Sequence, residues 1–311
     1  MSAATHGRGS RLASRAAARV VGRHHARLAP ARTLVTAARD ATAELRGLRF
    51  HYLDWGTAGL PALVCLHGIT QTAHSWDDVA PALARTHYVR ALDQRGHGDT
   101  SWATDGDYRI DTQSRDVEEF LRSVVGGPAV LVALSMGGLN AMTLAAREPA
   151  LVRALVVVDI APQVERKGVD HIRQFVTAND ELDTFEDFVA RAHAFNPRRS
   201  LENIRDRLRH NLRRLPTGRW TWKYDPTLRD PGRAAGDIAN LWDRVREIRC
   251  PTLIIRGGES DVLAPETAAR LGGLVHAEVR TVAGAGHSVM GDNPAGFLAA
   301  VEPFLTTLER A

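Results

Sequence analysis

The chain has 311 residues, 44% of them apolar and 24% charged, a balance that suits one large globular core plus a subdomain and excludes a wholly disordered or fibrous chain. Its formal charge of +4 does not describe a nucleic-acid groove: residues 1–39 hold eight arginines and no acid, so residues 40–311 are net acidic. No run of about 18 apolar residues is present to span a membrane, and the tail has no apolar stretch suited to a secretory signal.

Arg8, Arg11, Arg15, Arg19, Arg23 and Arg27 recur among alanines in that tail. Residues 1–41 are therefore expected to form a basic extension, disordered or loosely helical. A transit-like presequence and a segment docking on an anionic surface fit the same composition. Next, Ala43 to Trp55 reads as an antiparallel pair broken at Gly47. Leu63 to Leu66 is an apolar strand ending in His67-Gly68-Ile69-Thr70. A helix is expected around Trp76 to Ala84, then a strand from Tyr88 to Leu92 that runs into Asp93-Gln94-Arg95-Gly96-His97-Gly98. Asp93, Arg95, His67 and His97 read as residues that shape these turns, and His74 as a neighbour of the pocket mouth. Ile110 to Val125 is helical, with Val117, Phe120, Leu121 and Val124 on one face.

Ala133-Leu134-Ser135-Met136-Gly137-Gly138 follows the strand-like run Ala129 to Val132 and precedes a helical stretch to Arg147. A serine on a sharp strand-to-helix turn, with small residues two places to either side, is a nucleophile elbow. Such a turn is strained, and bulky side chains at 133 or 137 would collide with their surroundings. Leu151 to Val158 is nearly continuous apolar sequence, as a central parallel strand requires. It ends at Asp159.

From Val164 to Arg244 no inner-strand run occurs. Helical stretches are expected over Val169 to Val176, Thr184 to Phe195, Leu201 to Leu215 and Asp237 to Ile248, interrupted by Trp220 to Asp225. Strands return at Thr252 to Ile255, followed by Gly258-Glu259-Ser260-Asp261, and at Val279 to Val282, followed by Gly284-Ala285-Gly286-His287. Ser135, Asp261 and His287 thus follow in the chain order serine, acid, histidine, each just past a strand.

With these motifs in order, the sequence resembles the α/β-hydrolase superfamily from about Ala43 to Leu308. The resemblance implies an eight-stranded, mostly parallel sheet with helices on both faces and a helical cap inserted after the sixth strand. The division expected is a core of 42–162 and 246–311 and a cap of 163–245. By family position Ser135 is the nucleophile, His287 the base and Asp261 the acid, with Asp159 as the alternative acid. The amides of Ile69 and Met136 form the oxyanion hole, and Thr70, Trp220 and Trp222 are candidate pocket residues beside Phe175, Phe185, Phe188 and Tyr224.

A serine at this position excludes the branches of the superfamily that attack with aspartate. The expected reaction is hydrolysis of a small or medium ester, lactone or thioester through an acyl-enzyme. Carbon–carbon bond or amide hydrolysis, cofactor-free perhydrolysis and a ligand receptor on the same fold are the alternatives. No His-x-x-x-His or Cys-x-x-Cys pair and no phosphate-cradling glycine loop occurs, so neither metal nor cofactor is expected. The partner expected is a small-molecule substrate and not nucleic acid. Cys65 and Cys250 sit in or beside apolar strands, which suits packing in a reducing cytoplasm.

Overall fold

The computed structural model describes residues 37–230, 238 and 240–309, so most of the expected basic extension, up to residue 36, lies outside the described residues. Two strands open the fold, β1 (Arg39–Leu45) and β2 (Leu48–Trp55), paired antiparallel. Arg46 and Gly47 both take positive φ in the turn between them. The strand starts three residues before the boundary expected at 42. Arg39 already pairs with Asp54, and its Nη2 donates to Asp54 Oδ1 at 2.7 Å.

The remaining core strands are β3 (Ala62–Leu66), β4 (Tyr88–Leu92), β5 (Ala129–Leu134), β6 (Val152–Val158), and two late ones, Thr252–Gly257 and Glu278–Val282. Three short strands intervene in the chain: β7 (Glu181–Leu182), β8 (Leu212–Arg214) and β9 (Trp220–Trp222). The late pair is therefore β10 and β11. The eight core strands form one sheet in the order β1-β2-β4-β3-β5-β6-β10-β11. Only β1–β2 and β2–β4 are antiparallel, and every other neighbour is parallel.

Period-two alternation along β5 builds both faces of the core. Leu131 and Ala133 face a cluster with Val64, Leu155, Ile254, Phe120 and Met142. Val130, Val132 and Leu134 face the opposite cluster with Cys65, Val156, Trp76, Phe297 and Val301. All six β5 residues are buried, which is why the strand reads as unbroken apolar sequence. Helices α1 (Ala80–Leu83), α2 (Ile110–Phe120) and α3 (Met136–Arg147) belong to this core. The single helix expected over 76–84 is instead a 3₁₀ turn, Ala73–Trp76, followed by α1.

Between β6 and β10 the chain forms α4 (Arg166–Thr177), α5 (Phe185–Phe195) and α6 (Leu201–Asn211) around a small sheet ordered β7-β9-β8. That sheet corrects the purely helical expectation. The helix expected to reach Leu215 stops at Asn211, and Leu212–Arg214 pairs antiparallel with Trp220–Trp222 instead. Gly218, with φ +89°, lies in the connection between the two strands. Behind it Phe188, Ile204, Leu208 and Trp222 make a separate apolar cluster. Residues 231–237 and 239 lie outside the described residues, and the helix expected over 237–248 is described as Leu241–Arg244 with a 3₁₀ turn, Val245–Glu247.

Asp93 ties three segments together at the carboxyl end of β4. Its Oδ1 accepts from Ala73 N at 2.6 Å, and its Oδ2 accepts from Asp99 N at 3.0 Å and meets His51 Nδ1 at 2.8 Å. Burial alone would raise this carboxyl, but the hydrogen bond from His51, the two nearby imidazoles of His67 and His51 and the Ala73 amide together outweigh it and hold it below its ordinary range. Arg95 likewise makes a two-pronged pair with Asp116 and donates to Asp107 O at 2.7 Å. Both residues are structural, as expected. Asp93→Ala should cost about 3–5 kcal/mol of stability in urea unfolding, because it strands the buried Ala73 amide and the His51 imidazole and frees the Asp99 amide. A cost below about 1 kcal/mol would contradict that role.

Candidate active site

Ser135 sits between the last residue of β5 and the first of α3, with φ +51° and ψ −120°. That conformation is costly for a residue with a Cβ and persists only where the surroundings enforce it. Here Ser135 N donates to Val158 O of the neighbouring strand at 3.1 Å, and Ser135 O accepts from Leu139 N at 3.1 Å. The tight approach explains the small residue at 137: a Cβ there would lie 2.7 Å from Leu66 O and 2.8 Å from His67 O. Ser135 is 8% exposed and lines a cavity of about 260 Å³ that His287 lines too.

His287 Nδ1 lies 2.9 Å from Asp159 Oδ2. Asp159, not Asp261, therefore holds the imidazole, which corrects the acid expected by family position. Asp159 follows the last residue of β6 with φ +50° and is fully buried. Its Oδ1 accepts from Gly257 N at 2.9 Å, and its Oδ2 also accepts from Ser260 Oγ. Surrounded by donors, the carboxylate acts as an acceptor, so Nδ1 carries the proton and Nε2 is left with a lone pair.

Asp261 faces another way. Its Oδ2 lies 3.1 Å from His171 Nδ1 on α4, and both side chains are partly exposed. The loop after β10 does converge on the site, but one residue earlier than expected. Ser260 turns inward to Asp159, while its Oγ also accepts from Val262 N and Leu263 N at 3.1 and 3.2 Å. Asp261, next along, is turned toward the insertion, where its backbone packs so closely on α4 that a Cβ at Gly168 would lie 2.3 Å from Asp261 O. Nothing in the motif spacing distinguishes position 260 from 261.

The loop after β3 faces Ser135 from the other side. His67 is fully buried. Its Nε2 accepts from Gln94 N at 3.0 Å, so its Nδ1 is the protonated nitrogen and donates to Gly68 O at 2.8 Å. Burial lowers its pKa and keeps the ring neutral. Gly68 O also accepts from Gln71 N at 3.2 Å. In a trans peptide the N–H points opposite to the C=O, so these bonds turn the Ile69 amide away from His67. Ile69 and Thr70 line the cavity. Met136 opens α3, where the first amides of a helix have no partner within it.

The insertion supplies an apolar side to the cavity: Ile172, Phe175 and Val176 of α4, Phe195 of α5, Leu208 of α6 and Trp222. Trp220 is not among the lining residues. It packs on Phe185 at 5.3 Å between ring centroids, whereas Trp222 packs on Phe175 and Phe188. Phe185, Phe188 and Tyr224 are also outside the lining. His74 stacks on His210 at 3.4 Å and does not line the cavity. The motifs did not single out Gln71, Asn211, Arg198 or Ser288, all of which line it.

A family model described as the α/β-hydrolase fold matches residues 61–294. The chain belongs to the α/β-hydrolase family and is an enzyme of that class. It is 33% identical over 263 residues to esterase Rv0045c of Mycobacterium tuberculosis, covering 82% of this chain and 86% of the relative. A solved structure of that esterase superposes with a TM-score of 0.73 at 31% identity, over 86% of this chain and 92% of the other. The sn-1-specific diacylglycerol lipase ABHD11 of Mus musculus is 34% identical over 274 residues, 85% of this chain and 87% of the relative. A likeness of fold extends to E-2-(acetamidomethylene)succinate hydrolase, with a TM-score of 0.79 at 24% identity over 87% of this chain and 100% of the other.

The two aspartates can be separated by mutation. Asp159→Asn should lower kcat by about 10⁴ by disfavouring the reactive imidazole tautomer, whereas Asp261→Asn should cost less than about tenfold. Ester hydrolysis by the two purified variants checks the ranking, and the reverse order would return the acid role to Asp261.

Proposed function

We propose that the chain is a serine hydrolase that cleaves esters of small or medium carboxylic acids through an acyl-enzyme. The observation that carries this reading is the 2.9 Å contact of His287 with the buried Asp159, at a cavity that Ser135 lines. A free serine hydroxyl is a weak nucleophile at neutral pH and needs a base. With Nδ1 bound to Asp159, His287 Nε2 is that base. It takes the Ser135 proton as Oγ attacks the ester carbonyl, and Asp159 stabilises the imidazolium that forms.

The carbonyl oxygen then bears negative charge, met by the amides of Ile69 and Met136 and by the positive end of α3. Collapse of the tetrahedral intermediate expels the alcohol, protonated by His287. Water, deprotonated by the same imidazole, releases the acid and restores Ser135. Catalysis by these groups calls on no metal or cofactor.

The cavity supports the size of substrate proposed. About 260 Å³ lined by Ile172, Phe175, Phe195, Leu208 and Trp222 suits a short to medium apolar chain. The names of the esterase and lipase relatives support ester cleavage over carbon–carbon or amide cleavage. Two free cysteines, Cys65 buried and Cys250 half-buried, support a reducing compartment such as the cytoplasm. Among the described residues no helix is long and apolar enough to cross a membrane.

Ser135→Ala should lower kcat for p-nitrophenyl butyrate by about 10⁴–10⁶ while the protein stays folded by circular dichroism. Retention of a tenth of the wild-type rate would remove Ser135 from the mechanism.

A further inference from the structure

Helix α6 belongs to the insertion, yet one of its stripes is docked on core residues 70–78. Asn203 Nδ2 donates to Asp78 Oδ2 at 3.2 Å. Arg207 pairs with Asp78, and with Asp77 at 3.0 Å, and donates to His74 O. The His210 ring stacks on His74. Positions 203, 207, 210 and 211 follow the i, i+4, i+7, i+8 spacing of a single helix face. Four successive side chains of the stripe thus reach the segment that continues the oxyanion loop.

The last of them, Asn211, reaches furthest into it. Its Nδ2 donates to Thr70 O at 3.3 Å, and its Oδ1 accepts from Thr72 Oγ1 at 3.2 Å. Both ends of the amide are used, so its orientation is determined. Thr70 is a β-branched residue at φ +63°, a strained conformation that relaxes unless neighbours hold it. The Ile69 amide lies between two anchored carbonyls. Gly68 O is held by His67 and Gln71 N, both of the core. Thr70 O is held by Asn211, of the insertion.

We propose that Asn211 is a positioning residue for the oxyanion loop, so that the insertion holds Thr70 in its strained conformation and thereby keeps the Ile69 amide aimed at the carbonyl oxygen. The proposal rests on the reading of Ile69 as an oxyanion donor. Asn211 touches no reacting atom. Its effect is on the transition state, where the negative charge has developed, more than on binding of the neutral ester. Release of α6 from the 70–78 segment would therefore weaken catalysis even with the Ser135, His287 and Asp159 geometry intact.

The test compares Asn211→Leu, of similar volume without hydrogen bonds, with Thr72→Val and the double variant, using p-nitrophenyl butyrate and an alkyl trifluoromethyl ketone. In Asn211→Leu, kcat should fall about 10–100-fold with KM within about threefold of wild type. Affinity for the ketone, which forms an oxyanion on Ser135, should fall by the same factor. The acidic limb of the kcat–pH profile should stay in place, since His287 and Asp159 are untouched. Thr72→Val should show a smaller loss of the same kind, and the double variant should lose less than the two singles together. If Asn211→Leu does not fold, the Thr72→Val kinetics decide.

An increase in KM at unchanged kcat, a fall in kcat without loss of ketone affinity, or a shifted pH profile would overturn the proposal. Ser135→Ala separates the two levels. Full activity in that variant sinks the reading of the site itself. Its inactivity beside a fully active Asn211→Leu sinks only the role of Asn211.

Discussion

The hydrogen bond from His287 to Asp159 is the contact on which the rest of the site depends. It joins the loop after β11 to the end of β6 across β10, and the Asp159 carboxylate is wholly buried while doing so. A buried carboxylate is tolerated only when its oxygens are hydrogen-bonded. Gly257 N, Ser260 Oγ and the imidazole meet that requirement from three separate residues of two later loops or strands. The orientation of His287 is thus tied to the order of the parallel sheet: β6, β10 and β11 are consecutive neighbours, and their carboxyl ends bring the three groups together.

The insertion then closes over this edge from two directions. Helix α4 lies on the loop after β10, with Gly168 against the Asp261 backbone and His171 on its carboxylate. Helix α6 lies on the loop after β3 through Arg207, His210 and Asn211. Between them the helices offer the cavity its apolar side. The insertion is in this way part of the site's geometry as well as the boundary of its substrate space, since each helix holds a loop next to Ser135.

Much of this was legible in the sequence because the motifs carry steric requirements. The serine turn demands small neighbours, and Gly137 is small because Leu66 O and His67 O leave no room for a side chain. The core strands are legible because β5 and β6 are buried on both faces. Asp159 and Asp261 were not separable, since each ends a strand near the histidine loop. What separates them is backbone: a left-handed φ at Asp159 turns its side chain toward the Gly257 amide, while Ser260 takes the inward position that Asp261 was expected to hold. The small sheet of the insertion was missed because two- and three-residue strands are too short for their alternation to stand out. Asn211 was invisible because its partners, Thr70 and Thr72, lie far away in the chain.

The most direct measurement is a crystal structure of the protein after inactivation by a small alkyl fluorophosphonate. Its adduct copies the tetrahedral intermediate. The expected result is a phosphorus atom bonded to Ser135 Oγ and a phosphoryl oxygen within hydrogen-bonding reach of the Ile69 and Met136 amides. His287 should still donate through Nδ1 to Asp159. An adduct on another residue, a phosphoryl oxygen turned away from both amides, or a His287 ring carried over to Asp261 would contradict the assignment of this site.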